Sequence, residues 1–321
     1  MTSTGLSRRS FFLGIGATGA AIAFPAVANT SSVAQKSRTA PDVIGEIHYH
    51  VARKEDTLLD LARANNLGFV EMAAANRGVD PWIPPPGTKL VLPTMHVLPD
   101  GPREGLLLNM ADMRLYYFPR GGGRIESFAI GVGQDGWKTP TGATSVVRKK
   151  KDPTWFPPKS IRKEDPTLPA VVPPGPANPL GRYAMYLGWR SYLIHSTNKP
   201  LGVGRRVSHG CIRMYPEGIA DLFPRLPVGT PVTVVSQPAK IGWNAGALYL
   251  EIHPSARQAD EIEETGKFTH EPVPELAHRL VAAAGQQVDS IDWKAVYRAV
   301  EARTGMPVAV LETNRAASTD R

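Results

Sequence analysis

The chain of 321 residues contains one cysteine, Cys211. Without a second thiol there is no internal disulfide, so this side chain is either a small buried hydrophobe or a reactive group. Acidic residues are in the minority, 29 against 37 Lys and Arg, which leaves a net charge of +8. Such a surface attracts anionic polymers. Its basic run, Arg148 to Lys151, lacks the interleaved aromatics on which bases would stack, which argues against nucleic acid. Beyond residue 24 no apolar run reaches the ~20 residues needed to span a bilayer. Proline, by contrast, is plentiful at 30 residues, and it predicts loops and linkers around a β-rich core.

The amino terminus reads as an address. Ser7-Arg8-Arg9-Ser10-Phe11-Phe12 is a twin-arginine pattern, followed by a short apolar run, Leu13 to Phe24, and the small-residue signature Ala26-Val27-Ala28. Residues 1–28 are therefore expected to be an export signal and 29–43 a polar linker, with the mature chain outside the cytoplasm. No cysteine near the cleavage site is available to carry a lipid.

Residues 44–94 form a compact segment. A strand at Ile47 to Val51 precedes Asp56 and Thr57, which suit the cap of a helix from Leu58 to Asn66. A second helix runs from Phe69 to Asn76, and a strand at Lys89 to Leu92 stops at Pro93. His48 and His50 could share a strand face as metal ligands, but no further ligand stands nearby. The order βααβ, with Tyr49-His50-Val51, Asp56-Thr57-Leu58, Asn76 and Ile83 to Leu90, resembles a LysM domain. The resemblance implies glycan binding between two loops, through Asp56, Thr57, Leu58, Asn76 and Ile83.

From Glu104 the pattern turns strand-like. Leu106 to Met110, Arg114 to Phe118, Ile125 to Ile130, Thr144 to Arg148, Tyr183 to Leu187, Ser191 to His195 and Pro231 to Val235 are short apolar runs between turn residues. Together they predict a β-sandwich or barrel-like domain over residues 103–236, with one helix at Glu217 to Phe223. A C-terminal extension, residues 237–321, begins as a β segment and continues as helices at Pro274 to Ala284 and Asp292 to Arg303, the first opened by its proline. The whole chain is thus expected to be multidomain: mainly β, with a small α+β module and a helical extension. The proline-rich stretch from Asp152 to Pro179 interrupts the β pattern and is expected to act as a lid or as an inert connector.

The chemistry gathers at Arg206-Val207-Ser208-His209-Gly210-Cys211-Ile212-Arg213 and Ile194-His195-Ser196-Thr197. A thiol attacks as thiolate, and an imidazole can take its proton. His209, two residues before Cys211, and His195, at the end of a strand, compete for that role. Gly210 allows close backbone approach, and the amides there could hold an oxyanion. His195, His209 and Cys211 could instead be three zinc ligands, although no acidic or fourth ligand stands nearby.

Histidine, a gap, then Ser-His-Gly-Cys-apolar-Arg resembles the signature of YkuD-type L,D-transpeptidases. The resemblance extends through Ile130-Gly131-Val132-Gly133, Thr139-Pro140-Thr141-Gly142, Asn178-Pro179-Leu180-Gly181 and Trp243 to Pro254. Together with the LysM-like segment, it resembles the ErfK/YbiS/YcfS/YnhG branch of Gram-negative periplasms. It implies that Cys211 attacks the diamino-acid carbonyl of a peptidoglycan tetrapeptide stem and expels D-alanine. His195 would be the base, oriented by the Ser196 carbonyl, and an amine would resolve the thioacyl-enzyme into a 3→3 cross-link or a wall-attached protein. His209 would support the site, and the amides of Gly210 and Cys211 would hold the oxyanion. Ser208 is counted among the substrate-binding residues, and Arg213 would meet a substrate carboxylate. No cofactor and no metal is expected. The partners are glycan strands, stems and an acceptor, such as a lipoprotein. Two other readings share these residues: an L,D-carboxypeptidase or endopeptidase, and a peptidoglycan-binding protein with an inactive catalytic domain.

Overall fold

The computed structural model describes residues 41–313. The expected export signal, residues 1–28, lies outside them, as does most of the expected linker. The last linker residues belong to the fold: Asp42 is buried, and β1 (Val43–Ile44) pairs with β4 (His96–Val97). Two residues are too few to show a strand's alternation in the sequence.

Between these two strands the chain forms β2 (His48–Val51), α1 (Leu58–Ala64), α2 (Phe69–Ala75) and β3 (Lys89–Leu92), with β2 and β3 antiparallel. Thr57 caps α1 by accepting from the Asp60 amide at 3.0 Å. Leu58, Ala62, Leu67, Met72 and Leu90 make a small core of their own. The segment is not free-standing, however. Leu59, Phe69 and Val70 are buried with the main β core, and the Val70 amide donates to the Gly204 carbonyl at 3.1 Å. Gly68 and Gly204 permit that approach, since a Cβ on Gly204 would lie 2.1 Å from the Gly68 Cα.

The central sheet contains β5 (Gly105–Asn109), β6 (Arg114–Phe118), β7 (Glu126–Gly133), β8 (Gly142–Lys151), β9 (Tyr183–Leu187), β10 (Leu193–His195), β11 (Arg206–Ser208), β12 (Ile212–Met214) and β13 (Pro231–Val235). Its order is β11-β7-β12-β10-β9-β8-β13-β5-β6, and β6 pairs again with β7. One sheet therefore closes on itself, which corrects the two-sheet sandwich expectation and agrees with its barrel-like alternative. The eight residues of β7 explain the closure: Glu126 to Ala129 bond to β6, while Ile130 and Gly131 bond to β12. Closure removes exposed edges. Between β8 and β9 lies α3 (Lys159–Glu164), and α4 (Pro216–Arg225) precedes β13, with Ile219 and Leu222 in the core.

The C-terminal extension is not simply helical. β14 (Ala239–Asn244) and β15 (Ala247–Ile252) form a hairpin, and after α5 (Ala256–Thr265), α6 (Leu276–Ala284) and α7 (Trp293–Ala302) the chain returns as β16 (Val308–Glu312) against β15. α6 begins at Leu276, not at Pro274, because Glu275 takes a left-handed conformation there. α5 starts in a capping box, Ser255 with Gln258, and its Ala259 joins the main core. The described residues pack as one compact unit in which the βααβ segment and the C-terminal extension each keep a hydrophobic cluster of their own beside the main core. Among the described residues no helix is long and apolar enough to cross a membrane.

Where the three parts meet, ionisable side chains are fully buried. Lys240 Nζ donates to Asp112 at 2.7 Å and lies 2.7 Å from Glu251 Oε1. Tyr116 Oη donates to Asp112 at 2.8 Å, and His253 Nε2 bonds to Glu251 at 2.5 Å. Beside them Arg114 pairs with Glu71 of α2 at 2.8 Å, with His96 3.6 Å from that carboxylate. Asp112, Glu251 and His253 offer ligand atoms within 4.8 Å of one another, but the Lys240 ammonium already bonds to both carboxylates. Burial opposes every charge here. The carboxylates of Asp112 and Glu251 outweigh it and hold Lys240 above its ordinary pKa, and Lys240 holds Asp112 below its own.

Candidate active site

Cys211 sits in the turn between β11 and β12. β12 runs parallel to β10, with Ile212 opposite Ile194 and Arg213 opposite His195, so the topology brings the distant His-Ser pair beside the thiol loop. The loop is fixed from within. Ser208 Oγ donates to the Cys211 carbonyl at 2.6 Å and accepts from the Gly210 amide at 3.2 Å. Thr139, outside the loop, donates to the Gly210 carbonyl at 2.8 Å. Gly210 has φ +94°, and a Cβ there would lie 2.9 Å from the Tyr192 ring. Only glycine suits both the backbone and the space.

Two expectations change with that geometry. The Gly210 amide is already bonded and does not face an oxyanion. Among the described residues no protein acceptor takes the Cys211 amide, which is left as the loop's donor. Ser208, expected to bind substrate, is buried and spends its hydroxyl on the turn.

His195 is buried, and its Nδ1–H donates to the Ser196 carbonyl at 2.5 Å. A carbonyl only accepts, so the proton is on Nδ1 and Nε2 keeps its lone pair. Burial, and then the nearby Arg213 charge, lower its pKa to about 4, against the pull of the Ser196 carbonyl. His209 is placed differently. Its Nε2 bonds to Glu164 of α3 at 2.8 Å, and its ring meets Trp137 edge-on at 5.0 Å. The proline-rich insert thus reaches the thiol loop through α3. Asn178 staples its base, donating to the carbonyls of Pro153 at 2.8 Å and Val172 at 3.2 Å.

The thiol lies 3.5 Å from the carbonyl of Ser191, a residue held at φ +72°. Burial pushes its pKa up, against the Leu193 backbone and Arg213. At neutral pH the site therefore rests as thiol and neutral imidazole, a pair between which a proton can pass. Arg213 is mostly buried and forms no ion pair among the described residues, so an incoming anion would be its first counter-charge. Turnover is expected to keep its basic group down to about pH 4, and a pH–rate profile whose acid limb lies near 6.5 would contradict this. The same histidine makes folding stability fall as pH drops from 6.5 towards 4, because the unfolded chain takes up that proton first.

The expected sugar residues divide. The Asn76 amide is saturated, donating to Met72 O at 2.9 Å and Val91 O at 2.8 Å and accepting from Val91 N at 2.7 Å; it clamps α2 to β3 and has nothing left for a ligand. Leu58 is fully buried, Thr57 is a helix cap, and Asp56 accepts from the Arg53 amide and bonds to His50. That last contact also accounts for His50 without a metal. Ile83 is exposed beside exposed Trp82. Thr139, Trp137, Glu164 and Tyr192 join the site through the fold; of these, only Thr139 lies in a stretch that resembles the family signature, Thr139-Pro140-Thr141-Gly142.

Residues 103–234 match the YkuD family, the L,D-transpeptidase catalytic domain. The chain is 42% identical over 250 residues to the probable L,D-transpeptidase ErfK/SrfK of Salmonella typhimurium, covering 76% of this chain and 79% of that protein. It is 36% identical over 308 residues to the probable L,D-transpeptidase YcfS of Escherichia coli, covering 92% of each. The solved catalytic domain of the E. faecium L,D-transpeptidase shares 26% identity and a TM-score of 0.32, covering 41% of this chain and 95% of that one.

Proposed function

The chain belongs to the L,D-transpeptidases, in the branch of ErfK, YbiS and YcfS, and from that premise we propose that it acts in the periplasm on peptidoglycan tetrapeptide stems through a Cys211 thioacyl-enzyme. The observation that carries the reading is the pairing of β10 with β12. It sets a neutral, Nδ1-protonated His195 beside the loop that presents Cys211. His195 Nε2 takes the thiol proton as sulfur attacks the diamino-acid carbonyl, and the Cys211 amide meets the developing oxyanion. The imidazolium then protonates the departing D-alanine amine. An acceptor amine, in a second stem or a wall-attached protein, attacks the thioester and restores the thiol.

Arg213 suits the stem carboxylate, because a partly buried guanidinium without an ion pair gains most from a bidentate anion. Residues 44–94 hold a glycan strand near Ile83, as their likeness to LysM suggests. The twin-arginine pattern at Ser7 to Phe12 supports export.

Purified enzyme and disaccharide-tetrapeptide, followed by mass spectrometry, test the chemistry. Cross-linked dimers lacking one D-alanine are expected; tripeptide alone would mean a hydrolase, and unchanged substrate would sink the reading. The same instrument should find the envelope-extracted chain starting near Asn29, and an intact amino terminus would refute the export step.

A further inference from the structure

The C-terminal extension takes no part in the chemistry above, yet it carries a built surface. α7 turns Val296 into its own core and leaves Trp293 and Tyr297, one turn apart, 37% and 69% exposed. Exposed aromatics at i and i+4 lie on one helix face. Lys294 and Arg298 flank them, and Arg77, from the loop after α2, completes the wall of a cavity of about 900 Å³. Arg77 also stacks over Phe268 at 4.8 Å and lines a second cavity of about 970 Å³ that extends to exposed Trp82. The two hollows share Arg77, but the second also carries Asp80, Glu263 and Glu264 against Arg77 and Lys267, so the surplus of cations is confined to the α7 hollow. In the α7 hollow the only carboxylate is Glu301, which faces His270 at 3.3 Å, against the three cations Arg77, Lys294 and Arg298.

We propose that the α7 hollow binds peptide-free stretches of the peptidoglycan glycan strand, so that the C-terminal extension is a second polymer-holding element beside the βααβ segment. The proposal rests on the function given above for its choice of polymer. Sugar rings present C–H faces that stack on exposed aromatic rings, and strand from which the stems have been removed carries free lactyl carboxylates that match the excess of cations. A neutral polysaccharide would leave Arg77 and Arg298 unused, and a basic partner would be repelled.

The test uses the full chain carrying Cys211→Ala, so that binding is read without turnover, with peptide-free glycan strands as the probe. The double variant Trp293→Ala/Tyr297→Ala is expected to weaken binding at least tenfold. Arg298→Ser should weaken it mainly at low salt. In the Cys211 background, the double variant should turn over soluble disaccharide-tetrapeptide within twofold of the parent. Tyr297→Ala alone serves if the double variant fails to fold, since that side chain is largely exposed. Unchanged glycan affinity in these variants overturns the proposal, as does a face that instead pairs two copies of the chain, read by light scattering. Loss of product from disaccharide-tetrapeptide with glycan binding intact would fault the transpeptidase reading and leave this one standing.

Discussion

Cys211→Ala is expected to reduce product formation by about 10⁶-fold, to background, while the unfolding midpoint stays within about 2 °C of the parent. The size follows from the lack of any substitute. No other thiol exists in the sequence, and His195, held by Ser196, can only pass protons. The fold should tolerate the change because the loop is fixed by Ser208, Thr139 and Gly210 rather than by sulfur. A carbapenem should add covalently to the parent and leave the variant's mass unchanged. Alkylation by iodoacetamide should accelerate as pH rises past 9, since burial holds the resting thiol protonated. Turnover surviving in the variant would mean that another group forms the acyl-enzyme.

The second large effect is on stability. Lys240→Met should cost about 3–5 kcal/mol, because it strands Asp112 and Glu251 out of reach of bulk solvent. At ~2–4 °C per kcal/mol for a domain of this size, the midpoint should fall by roughly 10 °C, as thermal unfolding would show. Adding Asp112→Asn and Glu251→Gln should recover part of the loss, since those amides no longer need a counter-ion. A single variant within 1 °C of the parent would show that the ammonium is not what neutralises the junction.

The contrast between these two sites explains what can be read from a sequence. β6 coincides residue for residue with the run from Arg114 to Phe118, and β9 and β13 match their apolar runs as closely, because alternation and turn residues are local signals. The thiol loop is legible for the same reason: its serine, histidine, glycine and cysteine are contiguous. Lys240 and Asp112, however, are 128 residues apart, and each looks like an ordinary surface charge until β14 packs beside the β5–β6 turn. Asn76 misled in the opposite sense. An asparagine at a helix end suits a ligand or a backbone clamp equally, and only the position of Val91 decides. The closing of the sheet was hidden because it depends on β7 serving two neighbours in succession. β16 is hidden in the sequence because its partners lie 58 to 65 residues earlier, as the pairing of Val308 with Leu250 and Glu312 with Ala247 requires.

The order of strands around the closed sheet also sets a timetable for synthesis. β13 lies between β5 and β8, and it is the last strand of the ring to leave the ribosome. Until Val235 has emerged, β5 and β8 each present an unpaired edge, although the thiol at position 211 has already been made. A nascent chain stalled between these points therefore carries its reactive sulfur on an open, aggregation-prone sheet. Completion of the ring therefore comes after the synthesis of the thiol loop, and the loop's own partners, β7 and β10, are already in the chain by then.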